Sequence, residues 1–118
     1  MEIWINPACS KCQSALSLLD GEQVDYTVRR YLEDPPSTQE LEEVLRRLRL
    51  EPWDITRLGE PVAADLGLAE WPRTQADRGR WIQTLAAYPI LIQRPIITVD
   101  DETAVVARSR EAVLRVAR

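Results

Sequence analysis

The stretch Glu2-Ile3-Trp4-Ile5-Asn6-Pro7-Ala8-Cys9-Ser10-Lys11-Cys12 decides how this chain is read. Glu2 to Ile5 is a short β-branched and aromatic run that ends at Asn6-Pro7, a turn signal. From Ser10 to Asp20 the apolar residues Ala15, Leu16 and Leu19 recur at helical spacing, and Gly21 lies where a helix stop belongs. Val24 to Arg30 alternates, with Val24, Tyr26 and Val28 on one face, which predicts a second strand. The first thirty residues therefore read as strand, cysteine turn, helix, strand.

A C-x-x-C pair at a helix start in a βαβ context is a redox signature. A helix N-terminus presents unpaired backbone N–H groups and a partial positive charge. Both favour thiolate over thiol, and can bring a cysteine pKa from about 8.5 into the range of roughly 3.5–7.5. Lys11 adds a nearby cation. Cys9, in the turn, is the expected nucleophile. Cys12, one helical turn on, is either a resolving partner or a small buried hydrophobe. The same N–H groups bind anions, and arginines would complete an oxyanion site through bidentate hydrogen bonds.

Further along, Pro35-Pro36 breaks the chain before Ser37-Thr38-Gln39-Glu40, whose spacing fits a capping box. Leu41, Val44, Leu45 and Leu48 mark one apolar helix face, and Glu42 and Glu43 precede Arg46 and Arg47 by four residues. Pro52, Gly59, Pro61 and Gly67 reduce the segment from Glu51 to Pro72 to short helical turns. Thr74 to Ala87 predicts another helix, with Trp81, Ile82 and Leu85 facing inward. Pro89 to Val99 returns to strand chemistry. Asp100-Asp101 is a turn, Ala104 to Ala107 a further strand, and Ser109 caps a last helix carrying Val113 and Val116. The expected order is β-α-β, helical insert at about 36–88, then β-β-α, in one domain over residues 1–118.

The 118 residues are 45% hydrophobic and 29% charged, which fits one soluble globular domain able to fold without a metal or disulfide staple. A net charge of -4 speaks against a general nucleic-acid binder. No stretch nears the roughly 18 apolar residues of a membrane span, and Met1 to Ile5 carries no secretory signal. The expectation is a cytoplasmic protein whose cysteines rest reduced. The chain has no histidine. That excludes Ser-His-Asp and Cys-His triads and His-containing metal sites, and two cysteines cannot close a Cys₄ zinc site. Lys11 is the sole lysine among fifteen Lys and Arg residues, a skew read as genome composition rather than function.

Ile5-Asn6-Pro7-Ala8-Cys9 resembles the active-site N-P-A-C turn of the glutaredoxin-coupled arsenate reductases, the ArsC family. Tyr88-Pro89-Ile90-Leu91-Ile92-Gln93-Arg94-Pro95-Ile96-Ile97 is similar to that family's P-I-L-I-x-R-P-I block, and Glu51 to Leu68 to its central segment. The likeness spans essentially the whole chain, and it implies a thioredoxin-like α/β fold. It implies that Cys9 attacks arsenate and forms a thiol–arsenic adduct, with Arg94, Arg108 and Arg57 as oxyanion-binding arginines. Pro95 would be the cis proline of that fold, with Asn6, Ser10 and Lys11 supporting the turn.

Two departures stand out. Cys12 occupies a position where the best-known arsenate reductases of this type lack cysteine, and Ile5 stands where the type member has histidine. The expectation is a monomer with no bound cofactor, since nothing in the sequence requires more, and the charge and the lack of an apolar span leave no nucleic-acid or membrane partner. Its reductant would be an external thiol, glutathione or another low-molecular-weight thiol, with a glutaredoxin- or thioredoxin-like protein. Two other readings share the motifs: a general thiol-disulfide reductase of the YffB kind, and a Spx-like redox-sensing regulator that binds RNA polymerase, which the C-x-x-C favours.

Overall fold

The computed structural model describes residues 1–117; Arg118, the last residue of the expected domain, lies outside them. The chain divides into two compact units. One comprises Met1–Asp34 and the chain from Arg94 onward, and the other Pro35–Gln93.

The first unit is built on β1 (Glu2–Ile5), α1 (Ser10–Gly21), β2 (Thr27–Arg30), β3 (Ile96–Thr98), β4 (Ala104–Val106) and α5 (Arg110–Ala117), the second unit's three helices falling between β2 and β3 in the sequence. The strands form one sheet in the order β2-β1-β3-β4. β1 runs parallel to β2, with Ile3 opposite Val28, and antiparallel to β3, with Ile3 opposite Ile97. β3 pairs antiparallel with β4. This is a small mixed sheet of the thioredoxin-like kind. Ile3, Ile5 and Ile97 point to one face, where they pack with Cys12, Ala15 and Leu19 of α1, with Ala107 just after β4, and with Val113 of α5. Alternation along β1 and the helical spacing of α1 thus meet in one core.

Three expectations about the ends of elements are corrected. Gly21 does not stop α1 by adopting a left-handed turn: Gln23 does, at φ 58. The Gln23 and Val24 N–H groups then bond the carbonyls of Asp20 and Leu19 at 3.1 and 3.3 Å, the crossed pair of a Schellman ending. Val24 is consumed by that ending, so β2 starts at Thr27 rather than Val24 and, as an edge strand, leaves Val28 47% exposed. The expected strand from Pro89 shrinks to Ile96–Thr98. Pro89 opens a 3₁₀ turn over Pro89–Leu91, because a proline suits a first helical position and has no N–H to give a ladder. Ile92 makes only an isolated bridge with Thr56.

The second unit is helical: α2 (Thr38–Leu48), α3 (Pro61–Leu66) and α4 (Arg78–Ala87), joined by 3₁₀ turns. The capping box opens α2 as expected, the Glu40 N–H donating to Ser37 Oγ and the Ser37 N–H to the Glu40 carboxylate, both at 3.1 Å. The expected helix from Thr74 is divided. Thr74 caps a 3₁₀ turn over Gln75–Asp77, and α4 begins only at Arg78. Leu41, Val44 and Leu45 are buried, as are Trp81, Ile82 and Leu85. Trp53 and Trp71 meet Trp81 edge-on at 6.0 and 5.5 Å. Glu43 pairs with Arg46 and Arg47, but Glu42 bonds Arg78, 2.7 Å away, instead of Arg46. Arg78 also holds Glu51 at 3.0 Å, tying α2 to α4 and to the turn between α2 and α3. No helix among the described residues is long and apolar enough to cross a membrane.

Candidate active site

The turn between β1 and α1 is held by its own residues. Asn6, 9% exposed, accepts the Ala8 N–H on its side-chain oxygen at 3.0 Å and the Cys9 N–H on its carbonyl at 2.9 Å. Gln13 reaches back from α1, its side-chain amide donating to the Pro7 carbonyl at 3.1 Å. Cys9 consequently sits at the N-cap of α1 in extended conformation, φ -89 and ψ 123. Its carbonyl accepts the first helical N–H, from Gln13 at 3.2 Å.

That position sets the chemistry of the sulfur. Partial burial works to raise the Cys9 pKa. The backbone N–H of Cys12, the Cys12 thiol, the Arg94 guanidinium and the Lys11 backbone N–H together outweigh it and lower the pKa from 9.0 to about 7. Each of these donors is satisfied better by a thiolate than by a thiol. The contribution of Lys11 comes through its backbone, and its side chain is exposed, as is Ser10.

Cys12 is the opposite case. It is fully buried. Burial dominates, and although a backbone group of Asn6 and the charge of Arg94 pull the other way, contact with the Cys9 sulfur adds to it and raises the thiol to about 11. At neutral pH Cys12 is therefore a hydrogen-bond donor to Cys9. The two cysteines share one hydrogen bond and divide the roles of thiolate and thiol between them.

Arg94 is 8% exposed. Burial disfavours its charge, yet the Tyr31 phenol and the Cys9 sulfur more than compensate and hold its pKa above the ordinary arginine value. The Arg94–Pro95 peptide bond is cis, as the resemblance implied. Arg108 donates from Nη1 to the Arg94 carbonyl at 2.6 Å, so this second arginine braces the backbone at the first. The structure thus brings together Cys9, Cys12, Arg94, Arg108, Asn6 and Pro95. Arg57 belongs to the helical unit, where its guanidinium donates to Glu60 at 3.1 Å and to Gln93 at 2.7 Å.

Tyr31 was not singled out by the sequence. It follows β2 directly and is 0% exposed. A buried phenol needs a partner for its hydroxyl, and Arg94 is that partner here. The only hint in the sequence is a tyrosine at the end of a strand just before Pro35-Pro36. Among the described residues no cluster of His, Cys, Asp or Glu could hold a metal ion.

Sheet order, cysteine turn and Arg94–Pro95 define the class as a thioredoxin-like α/β protein with its candidate site at the start of α1. Residues 4–116 match the ArsC family. An arsenate reductase from Escherichia coli strain K12 is 31% identical over 114 residues, 97% of this chain and 78% of that protein. A Streptomyces viridochromogenes protein described only as lying in the glnII region is 66% identical over 96% of this chain and 95% of its own length. The solved arsenate reductase of Vibrio cholerae superposes with a TM-score of 0.86 at 32% identity, covering 98% of each chain. The chain belongs to the ArsC family, a class of thiol oxidoreductases.

Proposed function

We propose that this chain reduces arsenate to arsenite through Cys9. The observation that carries the reading is the Cys9 sulfur itself: a thiol with a pKa of about 7 hydrogen-bonded to a nearly buried guanidinium. A thiolate repels an anionic substrate, and a cation at the same point offsets that repulsion. In the first step the thiolate attacks arsenic. An S–As bond forms, one As–O bond breaks, and the departing oxygen leaves as water after taking up protons. Arg94 and Arg108, with the N–H groups of the turn, hold the oxyanion.

In the second step another thiolate attacks the Cys9 sulfur. An S–S bond forms, the S–As bond breaks, and its electron pair stays on arsenic, which leaves as As(III). Each sulfur is oxidised by one electron. Cys12, buried and raised to about 11, is a weak candidate for that second thiolate. An external low-molecular-weight thiol serves better, and a glutaredoxin- or thioredoxin-like protein then reduces the mixed disulfide. This chemistry requires a reducing compartment, so the proposed location is the cytoplasm, and the proposed working unit is a monomer.

The contact between Cys12 and Cys9 favours a second reading, a general thiol-disulfide reductase that closes an internal disulfide. Purified protein supplied with arsenate and, separately, with a disulfide substrate decides between them. Arsenite formation that survives Cys12→Ser and fails with Cys9→Ser supports arsenate reduction by the external route. Disulfide turnover without any arsenite would replace it with the second reading.

A further inference from the structure

Tyr31 stands where two strand ends converge. Arg30 pairs with Ile5 in the parallel ladder, so Tyr31 leaves β2 beside Asn6, where the cysteine turn leaves β1. Trp4 pairs with Ile96, so the Arg94–Pro95 bond lies at the same end of β1, on its other side. Tyr31 and Arg94 therefore flank the end of the strand that leads into the nucleophile. Tyr31 is fully buried and Arg94 nearly so, and the phenol and guanidinium are hydrogen-bonded.

The backbone on both sides of that bond is set by other contacts. The Glu33 and Asp34 N–H groups donate to the Arg30 carbonyl at 3.0 and 2.9 Å, closing a turn directly after β2. Arg29 staples the turn, donating from Nε to the Asp34 carbonyl at 3.0 Å and lying 3.4 Å from the Asp34 carboxylate. Arg29 is itself seated over the ring of Trp4, its neighbour across the ladder, 5.1 Å from the centroid. At the other end, Arg108 donates to the Arg94 carbonyl at 2.6 Å and the Ala107 N–H to the Pro95 carbonyl at 2.9 Å.

We propose that Tyr31 is a positioning residue: its phenol oxygen accepts from the Arg94 guanidinium and fixes that plane against the Cys9 sulfur. This role rests on Cys9 being a nucleophile held by Arg94. An arginine side chain is long and loses much rotational freedom when held in one pose. Its planar fork carries five N–H donors, so one bond to Tyr31 orients the plane and leaves donors for the sulfur and for an oxyanion. A phenol suits the task because it is neutral. A carboxylate in its place would offset the positive charge that the thiolate and the substrate need.

The test is a double-mutant cycle read by the pH midpoint of Cys9 alkylation, with iodoacetamide as the probe. Tyr31→Phe keeps the ring and removes the oxygen. With Arg94 present it should raise the midpoint by about half a unit, which leaves about threefold less thiolate below the midpoint. With Arg94→Gln already in place, the same substitution should move it by less than about 0.2 unit, because the group through which Tyr31 acts is gone. Should Tyr31→Phe not fold, Arg29→Met takes its place: it keeps an apolar stem over Trp4 but releases the turn, and the same pattern is expected. A midpoint left unmoved with Arg94 present, or moved equally in both backgrounds, would overturn the assignment and make Tyr31 a packing residue. The cycle contains no arsenate. A null cycle with arsenite still formed therefore refutes the role of Tyr31 alone, while a coupled cycle without arsenite formation refutes arsenate reduction and leaves that role standing.

Discussion

Replacing Arg94 by glutamine removes one of the four groups that hold the Cys9 thiolate and leaves the two backbone N–H donors in place. The native thiol, at about 7 against an ordinary 9.0, is half ionised at neutral pH. An unperturbed one is about 1% ionised there, so the thiolate population is raised about fiftyfold. A less basic thiolate is intrinsically less nucleophilic, by about tenfold over two units at a Brønsted slope near 0.4–0.5. The net expectation is alkylation of Cys9 by iodoacetamide at neutral pH about fivefold faster than that of a free cysteine. The rate should stop rising about one unit above the midpoint.

A charge-assisted hydrogen bond contributes about 1.5 kcal/mol at the low end, so Arg94→Gln should move the midpoint up by about one unit. Alkylation rate against pH, with mass spectrometry assigning the label to Cys9, reads this out. Cys12 stays silent over that range because it is buried and raised to about 11. A native midpoint near 9 would mean that the turn does not hold Cys9 as a thiolate, and one that Arg94→Gln leaves unmoved would mean that Arg94 takes no part in holding it.

The same ionisation makes folding stability depend on pH. Cys9 is depressed in the folded state, so its contribution is fully present above the unfolded pKa of 9.0 and is lost as pH falls through about 7. The rise between those values is at most about 3 kcal/mol. Cys12, raised to about 11, takes stability away above 9.0. Denaturant unfolding across that window should show the rise in the native chain and not in Cys9→Ser. Tyr31→Phe removes the phenol partner of Arg94. It should raise KM for arsenate more than it lowers kcat, with circular dichroism unchanged; an effect confined to stability would mean that Tyr31 only packs. Ser37→Ala deletes the α2 cap and should cost about 1 kcal/mol in denaturant unfolding with no effect on Cys9 alkylation.

The elements that carry the site were legible because local signals and tertiary contacts agree there. Alternation over Glu2–Ile5, the Asn6-Pro7 turn and the helical spacing of Ala15 and Leu19 all lead to the same placement of Cys9 at a helix start. Element ends were less legible. The Schellman ending at Gln23 uses a residue with no special preference for a left-handed turn where a nearby glycine was available, so Gly21 misleads. The run Ile90-Leu91-Ile92 has strand composition, but the prolines on both sides leave it a 3₁₀ turn and a single bridge. Tyr31 was hidden for another reason. A hydrogen bond between the end of β2 and Arg94, over sixty residues on, has no local pattern. The partition of pKa values between Cys9 and Cys12 was half legible: the helix N-terminus marked Cys9, while the degree of Cys12 burial depends on core packing with Ile3, Ile97 and Val113.

The most direct test of arsenate reduction is the amount of arsenite formed from arsenate by the native chain with glutathione and a glutaredoxin, beside Cys9→Ser under identical conditions. The native chain should produce arsenite steadily, and the variant none above background. Arsenite formed equally by both, or by neither while Cys9 still alkylates with a midpoint near 7, would rule out arsenate reduction through Cys9.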